Sequence, residues 1–443
     1  MIRHFRSQCD RKVGCYDYWP KYCLVWPYQR SCLSARDQLG GTKVARKDQR
    51  FCIAGLGVTE VGDLKGKSVL MLEAEAARLA MADAGLEPSQ VNAALQMTSD
   101  VGGGVRFRHD DSFARVLGLP VNIYMENVGR GGEYSAMAII IAQELLRLGI
   151  ADYVVCSGAR DDWSRSRQAK EQGRRGVQFL LREGNWGSYF GESAPFFHGM
   201  LAARHMDVFG TTSEQLGRIA VSQRQWACLN PAAARHGQPM TLEDHQTSPI
   251  VAWPYHLLDI CLMSDGGTAF IVTTEERAKD LRRPPIYIEG IGFGEQMRKQ
   301  WWDKTNYEQL DVRNARDMAF GMAGVTLGDI DVAEFYDCFT MEVMMQLEGY
   351  GWCEQGEGGA FVEQEGMIGP GGAVPFNTGG GLLSSHHLGG LTSFAEAVTQ
   401  LRGDGGDRQV PDVQIALASG HGGEIVGGQM CSIHSSLVLR RDN

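Results

Sequence analysis

No stretch of this sequence approaches the roughly 18–20 consecutive apolar residues of a membrane-crossing helix, so a soluble protein is expected. Positive charge is in deficit. The chain has 43 Lys and Arg against 53 Asp and Glu, a formal net charge of −10 and a pI near 5.6. A protein that grips a nucleic-acid backbone needs a net basic face, which excludes nucleic acid as the expected partner. Secretory features are missing too. The eleven cysteines are odd in number and scattered, and Cys9, Cys15, Cys23 and Cys32 form no Cys-x-x-Cys pair. That pattern excludes a disulfide framework and a zinc site built on those four, and favours reduced thiols in the cytoplasm.

What is present is a long chain, 443 residues at 43% apolar content, enough for one large core or two fused ones. Residues 1–48 read differently from the rest, with Trp19, Trp26, Tyr16 and Tyr18 among many basic residues and no clear periodicity. They are expected to form a disordered N-terminal extension, and the fold is expected to start near Gln49. From Phe51 the pattern is ordered. An apolar strand through Gly57 precedes a helix from Leu70 to Ala84 that Gly85 closes, and a strand follows near Val91 to Met97.

The phrase Ala84-Gly85-Leu86 recurs as Ala323-Gly324-Val325 about 239 residues later, again between a helix and a strand, Val332 to Phe335. A repeat at that distance predicts two similar βα units rather than a solenoid, with helices covering both faces of their sheets. The expected organisation is a half from 49 to 275 carrying an inserted loop domain at about 161–248, and a second half from 276 to 443.

Three motifs carry the candidate chemistry. The first, Glu334-Phe335-Tyr336-Asp337-Cys338-Phe339-Thr340, follows an apolar strand and so lies at a sheet's carboxyl edge, where ligands gather in open α/β sheets. The second, Asn377-Thr378-Gly379-Gly380-Gly381-Leu382-Leu383-Ser384-Ser385-His386-His387, joins a glycine run to two histidines. The third is Ser419-Gly420-His421-Gly422-Gly423. A fourth segment, Glu126 to Ala136 around Gly131-Gly132, runs into an alanine-rich helix and the landmark Gly149-Ile150-Ala151-Asp152.

Together, over about residues 51–440, these segments resemble the thiolase superfamily, in particular its sterol-carrier-protein-type branch. The resemblance implies an α/β thiolase-like fold of two duplicated βαβ domains in five layers, α-β-α-β-α, with a loop domain that holds the coenzyme A arm. Counting from Gly149 and Asp152 puts the family's nucleophilic cysteine at Gly132. The branch's His-Asp-Cys-Phe corresponds to Tyr336-Asp337-Cys338-Phe339, and the family's catalytic histidine to His387. The second family cysteine corresponds to Gly420. Thiolase-fold steroid side-chain aldolases resemble this chain in lacking the elbow cysteine and in having a tyrosine at the position of Tyr336. They also have one at the position of His387, where this chain differs.

Thiolysis needs a nucleophile to hold the acyl group between two half-reactions. A retro-aldol reaction needs only a base, an acid and donors for an enolate oxygen. The expected function is therefore cleavage of a β-hydroxyacyl-CoA by acid–base catalysis, with Tyr336, His387 and Cys338 as catalytic candidates. Substrate-binding candidates are Gly132, Asn377, Gly380, Gly381 and Gly422. Tyr336 alternatively serves as a core aromatic and Cys338 as a small buried filler. Two other functions stay open: acyl transfer through a displaced cysteine, and a non-catalytic subunit. No metal and no permanently bound cofactor are expected, coenzyme A arriving as part of the substrate. The resemblance further implies a homodimer and a small OB-fold zinc-ribbon partner protein.

Overall fold

The computed structural model describes residues 49–97, 112–126, 128–129, 131–171, 194–295, 311–426 and 429–442. The expected extension, 1–48, lies outside these residues.

The first half opens with strand β1 (Phe51–Val58) and helix α1 (Val69–Ala84). The Ser68 side chain caps α1 by accepting from Met71 N, and left-handed Gly85 ends it, so its start and stop are both set locally. Strands β2 (Ala93–Gln96) and β3 (Ile123–Met125), helix α2 (Tyr134–Arg147) and strand β4 (Val154–Asp161) follow. The inserted segment contains α3 (Ala194–Phe209), α4 (Ser213–Cys228) and a small hairpin of β5 (Ile250–Ala252) and β6 (Tyr255–His256). The chain re-enters the core at β7 (Asp265–Thr274). The second half has β8 (Ile286–Glu295), α5 (Val312–Ala323), β9 (Val332–Glu334), α6 (Thr340–Tyr350), α7 (Gly390–Arg402), β10 (Ile415–Val426) and β11 (Gln429–Arg441).

Among the described residues the main sheet runs β3-β2-β4-β7-β1-β8-β11-β10-β9. This order reads as the same unit twice, reflected about a short seam where Cys52 pairs with Tyr287 and Ile53 with Ile286. In each half a parallel pair (β2 with β4, β9 with β10) is followed by antiparallel neighbours (β7 and β1, β11 and β8). Even the position of β3 has an echo, a parallel bridge from Ala333 to Phe376. The repeat read from Ala84 and Ala323 is therefore structural. The strands are mixed in direction, not parallel throughout as βαβ units alone would make them. Two residues separate β10 from β11, a length that permits an antiparallel return but not a parallel crossover.

Three apolar clusters alternate with the sheets. α1 packs its alanine face, including Ala76, Ala77 and Ala80, against Ala54, Val155 and Ile271. A central cluster combines Ala138, Ile139 and Ala142 of α2 with Leu391, Phe394 and Val398 of α7 and strand residues from both halves. Val312 and Ala319 of α5, with Val343 and Leu347 of α6, cover the far side. Helix, sheet, helices, sheet, helix is the five-layered order expected. The central layer is the most deeply buried, and each large aliphatic or aromatic side chain there contributes roughly 1.5–3 kcal/mol.

Candidate active site

Both central helices begin at one point. The N–H of Gly390, at the start of α7, donates to Gly131 O at 3.1 Å, and the N–H of Gly132, just before α2, donates to His421 O of β10 at 3.1 Å. Three chain segments cross here with almost no room. A Cβ placed at residue 132 would overlap the backbone N, C and O of His421, and one at 390 or 420 would overlap the Gly132 carbonyl. Position 132 thus lacks not only a thiol but the volume for any side chain.

Beside this junction the second-half motifs converge. Tyr336, just past the end of β9, is held by its backbone N–H donating to Ser419 Oγ at 2.9 Å, and its phenol oxygen lies 3.3 Å from His387 Nε2. His387 is fixed by its own N–H, which donates to Ser264 Oγ at 3.1 Å, and by Cys261 Sγ, 3.6 Å from its Nδ1. The loop that delivers it is pinned by Asp337, whose carboxylate accepts from the N–H groups of Leu382 at 2.9 Å and Leu383 at 3.2 Å. One motif therefore supplies the tyrosine and the anchor for the histidine.

The electrostatics define the starting protonation states. Burial pushes the Tyr336 phenol well above its usual range, the neighbouring Cys338 adds to this, and Arg160 opposes it. Burial pushes His387 down to about 3, with the Arg160 charge acting in the same direction. At neutral pH the pair is a phenol and a neutral imidazole. Arg160 itself is nearly buried and tied to Asp162 at 3.1 Å.

On the other side of Tyr336 lies a second cluster. Cys338 Sγ donates to Glu342 Oε2 at 2.9 Å, in the first turn of α6. His198 Nδ1, from α3 of the inserted segment, is 2.8 Å from Glu342 Oε1, and His421 Nε2 is 3.8 Å from the same oxygen. The His198 ring stacks on Phe339 at 4.6 Å, and the His421 ring lies 6.2 Å from that of Tyr336. Among the described residues, His198, Cys338 and Glu342 bring donor atoms within 4.8 Å of one another and could hold a metal ion. Two of those contacts, Cys338 Sγ–Glu342 Oε2 and His198 Nδ1–Glu342 Oε1, are shorter than the roughly 3.3 Å between two nitrogen or oxygen ligands of a tetrahedral zinc, so the cluster is packed more closely than a metal centre.

The structure brings Tyr336, His387, Cys338 and Gly132 to one place. Asn377 is engaged with the scaffold, its Oδ1 accepting from Phe335 N at 2.6 Å. Gly380 packs its bare face on Ala227 and Gly381 on Asp337, while Gly422 pairs with Ile433 next to His421. Sequence reasoning missed Cys261, Arg160, Glu342 and His198. Glu342 had a legible signal, its i+4 spacing from Cys338 at a helix start. The others come from distant segments.

Residues 295–440 match the Thiolase C-terminal domain-like family. Over 388 residues the chain is 34% identical to the steroid side-chain-cleaving aldolase of Thermomonospora curvata, covering 84% of this chain and 95% of that protein. The chain belongs to the thiolase superfamily. A second member, the 17-hydroxy-3-oxo-4-pregnene-20-carboxyl-CoA lyase of Mycobacterium tuberculosis, is 32% identical over 366 residues, 79% of this chain and 91% of that one. Among solved thiolase-fold structures, the Ltp2-ChsH2(DUF35) aldolase superposes with a TM-score of 0.75 at 33% identity, over 89% of this chain and 98% of that one. Human mitochondrial 3-ketoacyl-CoA thiolase shares the fold at a TM-score of 0.63 and 15% identity, over 89% and 99% of the two chains. The thiolase scaffold read from the motifs is the one present.

Proposed function

We propose that this protein cleaves the Cα–Cβ bond of a β-hydroxyacyl-CoA by retro-aldol chemistry without a covalent acyl-enzyme. The observation that carries this reading is the closed position 132, where the backbone of His421 occupies the space of a nucleophile, next to an intact Tyr336–His387 pair. Tyr336 takes the β-hydroxyl proton while its own passes to His387 Nε2. As the carbon–carbon bond breaks, a ketone or aldehyde leaves and the bonding electrons form the thioester enolate. The protonated imidazole then faces the enolate oxygen as a charged donor, and Cys338 delivers a proton to Cα. Its raised pKa, caused by burial and then by Glu342, keeps the thiol protonated until that acceptor forms. The loop 377–381 and Gly422 flank the pair and are proposed to receive the thioester.

The names of the two similar aldolase and lyase relatives support a bulky steroid-class acyl group. The two-component Ltp2-ChsH2(DUF35) aldolase supports a small partner protein, proposed as an OB-fold zinc-ribbon. A homodimer through the edge strand β3 and a cytoplasmic location complete the proposal. Among the described residues no helix is long and apolar enough to cross a membrane. The decisive variant is Tyr336→Phe, expected to cut turnover about 10³-fold while acyl-CoA binding persists. Full activity in that variant would rule out the proposed role.

One observation favours a second reading, acyl transfer through a displaced cysteine: Cys261 Sγ lies 3.6 Å from His387 Nδ1. Against it, burial first, then the charges of Asp337 and Glu342, push the Cys261 thiol up, and a protonated thiol is a poor nucleophile. Intact-mass measurement after brief exposure to an acyl-CoA separates the two. A covalent acyl adduct on Cys261 would establish transfer, and an unmodified mass during turnover is expected for the lyase.

A further inference from the structure

Glu342 is an unusual place for a carboxylate. It lies in the first turn of α6, its side chain 1% exposed, and burial alone would drive it neutral. Instead its pKa is pulled down to about 2. Burial acts upward, and it is overcome by His198, then by His421 and the Cys338 thiol. Three elements thus aim at one anion: α3 through His198, β10 through His421, and the segment before α6 through Cys338. No solvent contact explains the investment.

The packing shows that the arrangement is fixed. Phe339 is sandwiched, with the His198 ring on it at 4.6 Å and the Tyr255 ring stacked at 5.0 Å, so the inserted segment fixes the His198 ring beside Glu342. Cys338 and Glu342 are joined by one turn of backbone, which sets the sulfur and the carboxylate at 2.9 Å. Each constraint acts on the thiol of Cys338.

We propose that Glu342, held as an anion by His198, is the positioning residue that controls the proton carried by Cys338. The inference rests on the reading of Cys338 as the acid at Cα. A fixed carboxylate gives the S–H bond one direction and disfavours the thiolate by like-charge repulsion. Burial is the largest influence on this thiol, followed by Glu342, Cys261 and Asp337, and all of them raise its pKa. The thiol therefore retains its proton at neutral pH and surrenders it only to a much stronger base, the enolate carbon. In that step the S–H bond breaks as Cα–H forms. The proton that His387 took up in the first step restores the thiol once product has left, and in the reverse direction the thiolate is a base strong enough to remove one from Cα. His198 Nδ1, 2.8 Å from Glu342 Oε1, is the nearest group that favours the charged form of the carboxylate.

The test isolates this half of the reaction. Propionyl-CoA has an α-hydrogen and no β-hydroxyl, so its α-hydrogen exchange in D2O, followed by NMR, reports Cys338 without the Tyr336 step. The native protein is expected to exchange it. Glu342→Gln is expected to slow exchange about 10²-fold at unchanged KM, with Glu342→Asp recovering part of the rate. In parallel, the pH midpoint for alkylation of Cys338, located by peptide mass spectrometry, is expected above that of an ordinary thiol in the native protein and lower in Glu342→Gln. No exchange by the native protein would sink the assignment of Cys338 as the acid. Exchange at the native rate in Glu342→Gln, with an unmoved alkylation midpoint, would overturn only the role of Glu342. If that variant does not fold, the native midpoint decides: a value at or below the ordinary thiol range would refute control by the carboxylate.

Discussion

The two central helices begin within hydrogen-bonding distance of each other and have opposite fates. α2, in the first half, starts at a turn of glycines held by the backbones of β10 and of the α7 start. α7, in the second half, starts just after His386 and His387, with Tyr336, Cys338 and Glu342 beside them. The scaffold is duplicated and the chemistry is not. A repeat of this kind lets one half become pure structure, closing over the former site, while the other accumulates the groups that move protons. Where the first half does contribute, through Arg160, His198 and Cys261, it adjusts the charge or orientation of second-half residues.

The contrast can be broken most severely at residue 132. Gly132→Cys is expected to destabilise the fold by about 3 kcal/mol or more, because neither the His421 backbone nor the α7 terminus can retreat without separating the central helices. Denaturant unfolding of that variant would measure it, and a stable protein with thiolase activity would erase the distinction between the halves. His387→Gln is expected to lower turnover by about 10²–10³-fold with little change in unfolding, since its ring lies in the site and not between helices.

The pH dependence gives a finer test. Burial lowers His386 and His421 to about 4 and His387 and His434 to about 3, all in the second half. A histidine depressed in the folded state is neutral there but protonates in the unfolded chain below about pH 6.5, so its stability is fully present above that pH. Stability is lost as pH falls from 6.5 toward 3, by at most about 1.4 kcal/mol per histidine per pH unit. The ionised Glu342, depressed to about 2, adds a loss that starts only below about 4.5. Unfolding midpoints measured from pH 7.5 to 5 should therefore fall, and replacing His434 with an apolar residue should flatten the slope. A flat profile in the native protein would show that these rings are not held neutral.

Much of this was legible in the sequence because the fold's repeat and its three motifs are local. Ala84-Gly85 and Ala323-Gly324 end equivalent helices, and Tyr336, Cys338 and His387 sit at fixed offsets from glycines and strands that reveal their edge position. The partners that tune them were hidden, for a physical reason. His198, Cys261 and Arg160 reach the site from three segments whose spacing along the chain carries no period, and their effect depends on burial and distance. The motif likewise gives no sign that burial pushes the Tyr336 phenol up. A motif shows which residue is present, while the dielectric around it is a property of the assembled layers.

The crossing of three glycine-bearing segments at residue 132 also acts as an evolutionary ratchet. Reinstating a nucleophile there takes more than one codon: β10 would have to move out of the vacated volume, and that strand is paired along its length with β11 and at Ala416–Ala418 with β9. A cysteine placed at 132 before that strand shifts would have no room for its side chain, so the way back is blocked by mechanics as much as by chemistry.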